Sequence, residues 1–350
     1  MKAQRRGTGS IAPRASFALP VVLMIAAVSP AAATTATQAG GVELPTIAVI
    51  AFTNLRPDPE TDWIGEGAAE TVTTKLAGLS SLVVTERGQV RQVVLEQDFQ
   101  RSDLSEPATA ARAGRLLGAQ RVVVGTYAPQ GDRVMFNIRV VDVESGLVLN
   151  TAAHTGPIST IFDTLYQLAE AVIASFEKKV VVVDSRPEVR PAPPQEHLSV
   201  PIEERRILRE ECRTTPQAFE SYSRGLLAVS YAEREKYFSL AIQQDSSFAW
   251  AYYQRGQTRA SRSQFQLAIG DFEQATRTHP GCYDAWYAQA VTHERLGDPV
   301  KARVSYQRFC ETAPPSKADK VEKALKVLGK AGQAIKTKIK NKIQRKRNNP

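Results

Sequence analysis

The side chains able to do chemistry are few and widely spaced. Four histidines, His154, His197, His279 and His293, are scattered along the chain. None has a ligand partner at helical i+4 spacing or a nearby cysteine pair, as a zinc site needs. The cysteines, Cys212, Cys282 and Cys310, form no CxxC, and an odd count cannot be fully paired within the chain. No phosphate-binding loop, GxSxG elbow or GxGxxG turn is present. Gly65-Glu66-Gly67 could present backbone N–H groups to an anion, or could simply permit a turn. Asp58, Glu60, Asp62 and Glu66 gather oxygens of the kind calcium takes. They lack the spacing of a calcium loop, and a solvated turn that gains from a helix dipole is the simpler reading. The sequence therefore reads as a non-enzyme with no cofactor and no metal.

The two ends carry most of the charge. Lys2, Arg5, Arg6 and Arg14 precede an apolar run from Phe17 to Val28, and Ala31-Ala32-Ala33 follows. Basic, then apolar, then small is the order of a cleavable secretory signal. The run is shorter than the roughly 20 residues of a membrane span. No lipid-bearing cysteine stands near the cleavage site. From Lys317 onward the net charge is +10, against +9 for the whole chain. The body between the ends is therefore acidic, and the basic balance is no argument for nucleic acid.

The elements come in two sets. Thr46 to Thr53 is nearly all apolar, as in a strand buried on both faces. Ile64, Ala68, Val72, Leu76 and Leu79 share one face of a helix over 62–79. A short strand over 81–85, helices over 89–99 and 107–117 and a strand over 121–127 follow. A turn at 129–132 leads to an alternating strand over 134–140 and another over 147–153. Ile161, Leu165, Leu168, Val172 and Phe176 mark one more helix. This is the pattern of an α/β domain with a mixed sheet. A proline-rich stretch then suggests an extended spacer. The expected plan is a signal peptide over 1–33, a linker over 34–44, the α/β domain over 45–184, with a last strand near 180–183, and a linker over 185–201. An all-α domain over 202–330 and a basic tail over 331–350 follow.

The second half repeats itself. AWAYYQRGQTRA (249–260) parallels AWYAQAVTHERLG (285–297), and LAIGDFEQATRTHP (267–280) parallels KARVSYQRFCETAP (301–314). Ala268 and Ala302, Phe272 and Tyr306, and Pro280 and Pro314 are each 34 apart. That is the tetratricopeptide period, and three units plus a cap through Val321, Leu325 and Leu328 make a helical-repeat domain. A shortened first copy spans 218–247. Arg259 stands in a usual tyrosine place and Ser263 in a usual glycine place. The register puts Tyr222, Trp250, Tyr253, Gln257, Asp284, Tyr287 and Glu294 near a concave groove suited to a protein or peptide partner. Cys282 and Cys310 fall at neighbouring ends of one helix pair, where an oxidising compartment would permit a disulfide if their Cα atoms lie within about 7 Å, with Cys212 then the free one.

In the tail, Ile335, Ile339 and Ile343 form a stripe among basic residues. Lys336, Ile339, Lys340, Lys342, Ile343, Arg345, Lys346 and Arg347 would suit an anionic membrane surface. A solvated tail is the alternative.

The string TIAVIAFTNLRPDPETDWIGEGAAETVTTKL resembles the opening of the family of the TolB amino-terminal domain. VVTERGQVRQVVLEQ and ARAGRLLGAQRVVVGTYAPQGDRVMFNIRVVDVESGLVL resemble the CsgG-like curli assembly and transport family. The resemblance covers about residues 45 to 178, and Glu86-Arg87, Glu96-Gln97, Leu117-Gly118-Ala119 and Asp142 to Gly146 carry it. It implies a periplasmic or outer-membrane-associated module used in secretion and surface assembly. With strands this short, no pair of alternating segments of about ten residues with aromatic girdles is expected, so pore formation is not implied. The expectation is a periplasmic envelope scaffold that binds a protein partner through its repeats and docks through its α/β domain. The alternatives are an oligomeric part of an outer-membrane secretion apparatus, and a small-ligand sensor or enzyme.

Overall fold

The computed structural model describes residues 44–97, 99, 103–177, 213–314 and 317–337. The signal segment, the proline-rich linker, the strand expected near 180–183 and Cys212 lie outside them. So do Ile339, Lys340, Lys342, Ile343, Arg345, Lys346 and Arg347.

The first half is an α/β domain on a mixed sheet. Its strands are β1 (Thr46–Val49), β2 (Thr53–Asn54), β3 (Val83–Val84), β4 (Arg121–Gln130), β5 (Arg133–Asp142) and β6 (Val148–Pro157). The order is β3-β1-β4-β5-β6, with β2 continuing beside β4. β3, β1 and β4 run parallel, and β4, β5 and β6 form an antiparallel meander. The meander strands are ten residues each, longer than the sequence reading allowed. The reason is local: Gly131, at φ 63°, and Asp132 suffice for the turn, so Pro129 and Gln130 stay in the ladder.

Helices cover both faces of the sheet. Helices α1 (Trp63–Ala77) and α4 (Ile161–Glu177) pack on the face carrying Ile47, Val49, Val123, Tyr127 and Phe136. Helices α2 (Arg87–Glu96) and α3 (Pro107–Leu116) cover the other, on Ala48, Ile50, Val122, Val124 and Val141. The alternation of a pleated strand sends neighbours to opposite cores, so a strand apolar throughout belongs in a three-layer sandwich.

The second half consists of helical hairpins. Helices α5 (Pro216–Leu227) and α6 (Tyr231–Gln244) form the first, and α7 (Ala249–Ser261) and α8 (Phe265–Thr278) the second. Helices α9 (Tyr283–Arg295) and α10 (Pro299–Thr312) form the third, and α11 (Ala318–Leu328) caps it. Thr215, Ser230 and Asp298 cap α5, α6 and α10 by accepting from backbone N–H groups. Gly225 and Gly256 admit the rings of Phe238 and Phe272; a Cβ at either would lie 2.6 Å from the ring. Phe238 and Phe272 are one 34-residue period apart, so the same glycine–ring contact recurs in successive hairpins. The first loop, 228–230, is as long as the second, 262–264, so the first copy is not shortened there.

Both departures from the repeat pattern have physical accounts. Arg259, where a tyrosine is usual, bonds Glu235 at 2.9 Å and Asp271 at 2.9 Å. Arg255 reaches the same Asp271 at 2.6 Å, so charge pairing replaces aromatic packing there. Ser263 sits at φ 60°, the left-handed conformation that Gly297 adopts at 74° one period later.

Two expectations need correction. The cap does not end at Leu328: residues 330–337 are helical, and Ile335 is buried with Leu328, Phe309 and Cys310. Gly329 turns the chain at φ 57°, and Gly332, whose Cβ would lie 2.4 Å from the Leu325 carbonyl oxygen, lets this segment return against α11. Cys282 and Cys310 are buried but not bridged. Cys282 packs with Ala275 and Ala285 toward the preceding repeat. Cys310 packs with Ala324 and Leu328 toward the cap, and burial, with Glu311 beside it, pushes its thiol up to about 11.

The two halves also share one core. Phe219 of α5 lies 5.8 Å from the ring of Trp63 and 4.9 Å from that of Phe162. Gly67 permits this approach, since a Cβ there would fall 2.0 Å from Ser223 Oγ. Arg224 adds an ion pair to Glu60 at 2.9 Å.

The left-handed backbone at Ser263 yields a prediction. Such a conformation costs a non-glycine residue roughly 1–2 kcal/mol, less the extra entropy glycine loses on folding. Ser263→Gly should therefore stabilise the protein by about 1 kcal/mol, read as a higher urea midpoint. A lowered midpoint would refute this account of the loop.

Candidate functional site

The inner helices of the hairpins, α5, α7 and α9, carry the residues expected to line the groove. The structure separates them. Tyr222 is 3 % exposed, with its ring 5.8 Å from Phe238 and 5.0 Å from Phe248, so it fills the shared core. Trp250 and Tyr253 are half-buried, edge to face at 6.1 Å. Burial, with Asp284 nearby, raises the Tyr253 phenol well above its ordinary value, and its oxygen accepts from Gln257 Nε2 at 2.9 Å. Tyr287 packs on Tyr306 and Phe309 at 5.8 and 5.0 Å. Glu294 is exposed and accepts from the Tyr306 hydroxyl at 2.8 Å. Asp284 is half-buried, 3.8 Å from Lys320.

A cleft lies over the first two hairpins. Leu226 and Phe238 form its apolar side, and Tyr231, Arg234, Gln254 and Gln257 its polar side. Arg91, from α2 of the α/β domain, also lines it. The sequence reading missed this contribution, because nothing in the repeat register reports what a distant helix brings.

Arg91 is held there by a buried charge cluster. Glu66 of α1 is 4 % exposed and accepts from Arg87 Nη2 at 2.6 Å and from Arg91 Nη2 at 2.6 Å. Arg87 Nη1 also donates to the Val49 carbonyl at 2.8 Å. Burial alone would raise the Glu66 carboxyl, but Arg87 and Arg91 outweigh it and hold the group at about 2. Glu70 lies 3.5 Å from Arg87 Nε, and there burial wins over both arginines and raises the carboxyl.

Just before α2, Glu86 reaches across to the cap. Its Oε1 lies 3.0 Å from Lys317 Nζ and 2.6 Å from Lys320 Nζ. Burial opposes ionisation, yet the two ammonium groups hold this carboxyl at about 2. Glu86-Arg87 was the sequence signal: one residue of the pair goes to the repeats and the other to the core.

The remaining candidates have structural places. Asp62 accepts from Asn54 Nδ2 at 2.9 Å, and Asp58 from the Glu60 backbone at 3.0 Å. Gly65 passes beneath the Phe52 carbonyl, 2.2 Å from where a Cβ would stand. Among the described residues, no group of three or more His, Cys, Asp or Glu could hold a metal ion. Nor is any described helix long and apolar enough to cross a membrane.

Comparison with known proteins agrees with this division. The model of the FlgO protein family matches residues 31–161, and that of the tetratricopeptide repeat matches residues 249–317. The α/β half thus matches a FlgO model, where the sequence reading expected a curli- or TolB-type domain. Among curated proteins, the tetratricopeptide repeat and J domain-containing co-chaperone DNJ1 of Cryptococcus neoformans is 29% identical over 111 residues, 32% of this chain. Anaphase-promoting complex subunit 3 of Schizosaccharomyces pombe is 27% identical over 34% of this chain. The chain spans about a fifth of the length of these relatives (21% and 18%). Among solved structures, the TPR2B domain of yeast Sti1, in complex with pHsp70, has a TM-score of 0.29 at 17% identity, covering 34% of this chain and 98% of that one. The LpoB C-terminal domain from Salmonella enterica has a TM-score of 0.28 at 16% identity, covering 34% and 87%.

The Glu66 cluster sets a testable pH dependence. A carboxyl whose value falls on folding, from 4.5 to about 2, contributes stability that is present above pH 4.5. That contribution is lost as pH falls toward 2; Glu70, shifted upward, opposes part of it. Glu66→Gln removes the ionised partner of Arg87 and Arg91, leaving Arg87 only Glu70 at 3.5 Å, and should cost about 3–5 kcal/mol at pH 7. The difference between wild type and variant in chemical denaturation should shrink from pH 5 to pH 3. A constant difference would remove Glu66 ionisation from the account.

Proposed function

We propose that this protein is a non-enzymatic scaffold of the cell envelope that holds a protein partner on the inner face of its repeats. The observation that carries this reading is that face itself. Trp250, Gln257, Tyr287 and Glu294 lie on a stack of hairpins made rigid by ion pairs and by a core shared with the α/β domain. Aromatic side chains give large contact area at low entropy cost, and a rigid frame spares the partner's binding energy from ordering the receptor. Tetratricopeptide repeats serve as protein-interaction modules, which supports the class of partner. The match to the FlgO protein model favours an envelope role for the α/β half.

In this reading the chain is exported by residues 1–33, matures near Thr34 and resides in the periplasm, in some association with the outer membrane. Its α/β domain docks to an assembly or secretion complex of the envelope, as the curli-type resemblance implies. The basic residues from Lys336 to Arg347 add attraction to an anionic membrane surface.

Two measurements test the proposal. Fractionation with N-terminal sequencing should find a periplasmic chain beginning near Thr34; a full-length cytosolic chain would overturn export. Affinity capture from envelope extracts should recover a partner with the wild type and lose it, by about tenfold or more, with Trp250→Ala/Gln257→Ala. Circular dichroism should show that variant still folded. Equal recovery would move the partner off the groove. A large, defined oligomer in solution would favour a structural part of a secretion apparatus over a scaffold.

A further inference from the structure

The contact of Glu86 with the cap is unusual for a residue in its position. It stands at the N-cap of α2, where an acidic side chain ordinarily accepts from its own helix, yet it makes no such bond. Its carboxylate is turned outward onto Lys317 and Lys320, over 230 residues away in sequence. The receiving surface has a receptor's composition. Lys317 Nζ lies 5.9 Å from the Tyr283 ring and Lys320 Nζ 5.3 Å from that of Tyr287, and Lys317 is 10 % exposed. Both ammonium groups converge on the Glu86 carboxylate, backed by two aromatic faces that suit cations, and Asp284, 3.8 Å from Lys320, is a second carboxylate that stays at the edge of the site. The Glu86 side chain, by contrast, is 41 % exposed, so water reaches the carboxylate and the pair can open.

We infer that Lys317 and Lys320, with Tyr283 and Tyr287, form a carboxylate receptor on the repeats whose internal occupant is Glu86. An acidic side chain of a protein partner takes this place by displacing it. The inference rests on the groove reading for the natural partner, and gives that partner a chemistry: a carboxylate beside apolar or aromatic residues that can continue onto Tyr287. It also supplies a regulation. An internal competitor lowers the apparent affinity by the fraction of time it occupies the site, so weak or singly matched ligands are rejected. Helix α2 itself need not move. Arg87 and Arg91 stay on Glu66, and Val90 stays in the core beneath. Only the Glu86 side chain swings into solvent.

The test uses the full mature chain and a rhodamine-labelled peptide amide carrying one glutamate between two tyrosines, followed by fluorescence anisotropy. Glu86→Gln should bind this probe about tenfold more tightly than wild type, because the competitor is neutralised. Adding Lys317→Gln and Lys320→Gln to Glu86→Gln should abolish that gain, and the matching glutamine peptide should not respond to any of the changes. As a measurement independent of the peptide, limited acetylation read by mass spectrometry should modify Lys317 and Lys320 faster in Glu86→Gln. Equal binding by wild type and Glu86→Gln, no binding by either, or a gain that survives loss of both lysines would each overturn the proposal. Failure of the groove reading is a separate result. If Trp250→Ala/Gln257→Ala captures the envelope partner as well as wild type while the probe still responds to Glu86→Gln, the receptor stands and the partner binds elsewhere.

Discussion

Helix α1 is buried along most of its length, from Trp63 to Ala77. A helix covered on all sides can carry an ionised side chain only where a counter-charge and hydrogen bonds replace water, since an isolated buried charge is too costly to keep. Glu66 is one such side chain, and the placing of α2 follows from it. Its oxygens require Arg87 and Arg91, which are one helical turn apart on α2. Fixing both fixes the rotation of α2 about its axis. With Val90 directed to the core, the chain leaving the helix start then carries Glu86 toward the repeats. One buried carboxylate in the first domain thereby sets what the inner face of the second domain meets.

The close packing around α1 has a steric counterpart. Gly65 and Gly67 lie on either side of Glu66, one beneath the loop after β1 and the other beneath Ser223 of α5. A larger residue at Gly67 would push away α5, which the ring contacts of Phe219 draw in, and one at Gly65 would push away the loop that carries Phe52. The two halves are therefore coupled as interlocking surfaces, not as beads on a spacer. A partner held on the repeats is consequently held at a fixed distance from the sheet, which is what a scaffold needs in order to place one molecule against another.

How much of this could be read from the sequence depended on the range of the interaction. Periodicity is a local property, so the apolar stripe of α1, the alternation of β5 and the 34-residue spacing of Ala268 and Ala302 reported their elements directly. Turn chemistry was partly legible. Gly131 and Gly146 marked their turns, but the two-residue loop that lengthens β4 depends on Pro129 remaining in the ladder, which composition does not suggest. Tyr222 followed the groove register, yet faces the core, because the first hairpin packs on another domain instead of on a preceding repeat. Contacts over long separations left almost no trace. Nothing local to Lys317 or Lys320 distinguishes them from the other lysines nearby, and nothing local to Glu86 shows that its carboxylate leaves its own helix.

That last point bears on the basic C-terminal segment. Its +10 charge treats all its cations as one population, but the structure divides them. Lys317 and Lys320 are occupied by Glu86, so they belong to the electrostatics of the fold. Ile335, first of the three isoleucines in the stripe, is 8 % exposed and belongs to the apolar cluster of the last repeat. What remains for an external surface is two isoleucines and the cations beyond the cap. Two such side chains contribute only a few kcal/mol even if fully buried, at about 1.5–3 each. Any attachment to a membrane must therefore be mainly electrostatic, and so sensitive to salt in a way that the repeat core is not. The cations held by the fold are thus set apart from those left for any membrane contact, and the apolar cap runs on to Ile335 and does not stop at Leu328.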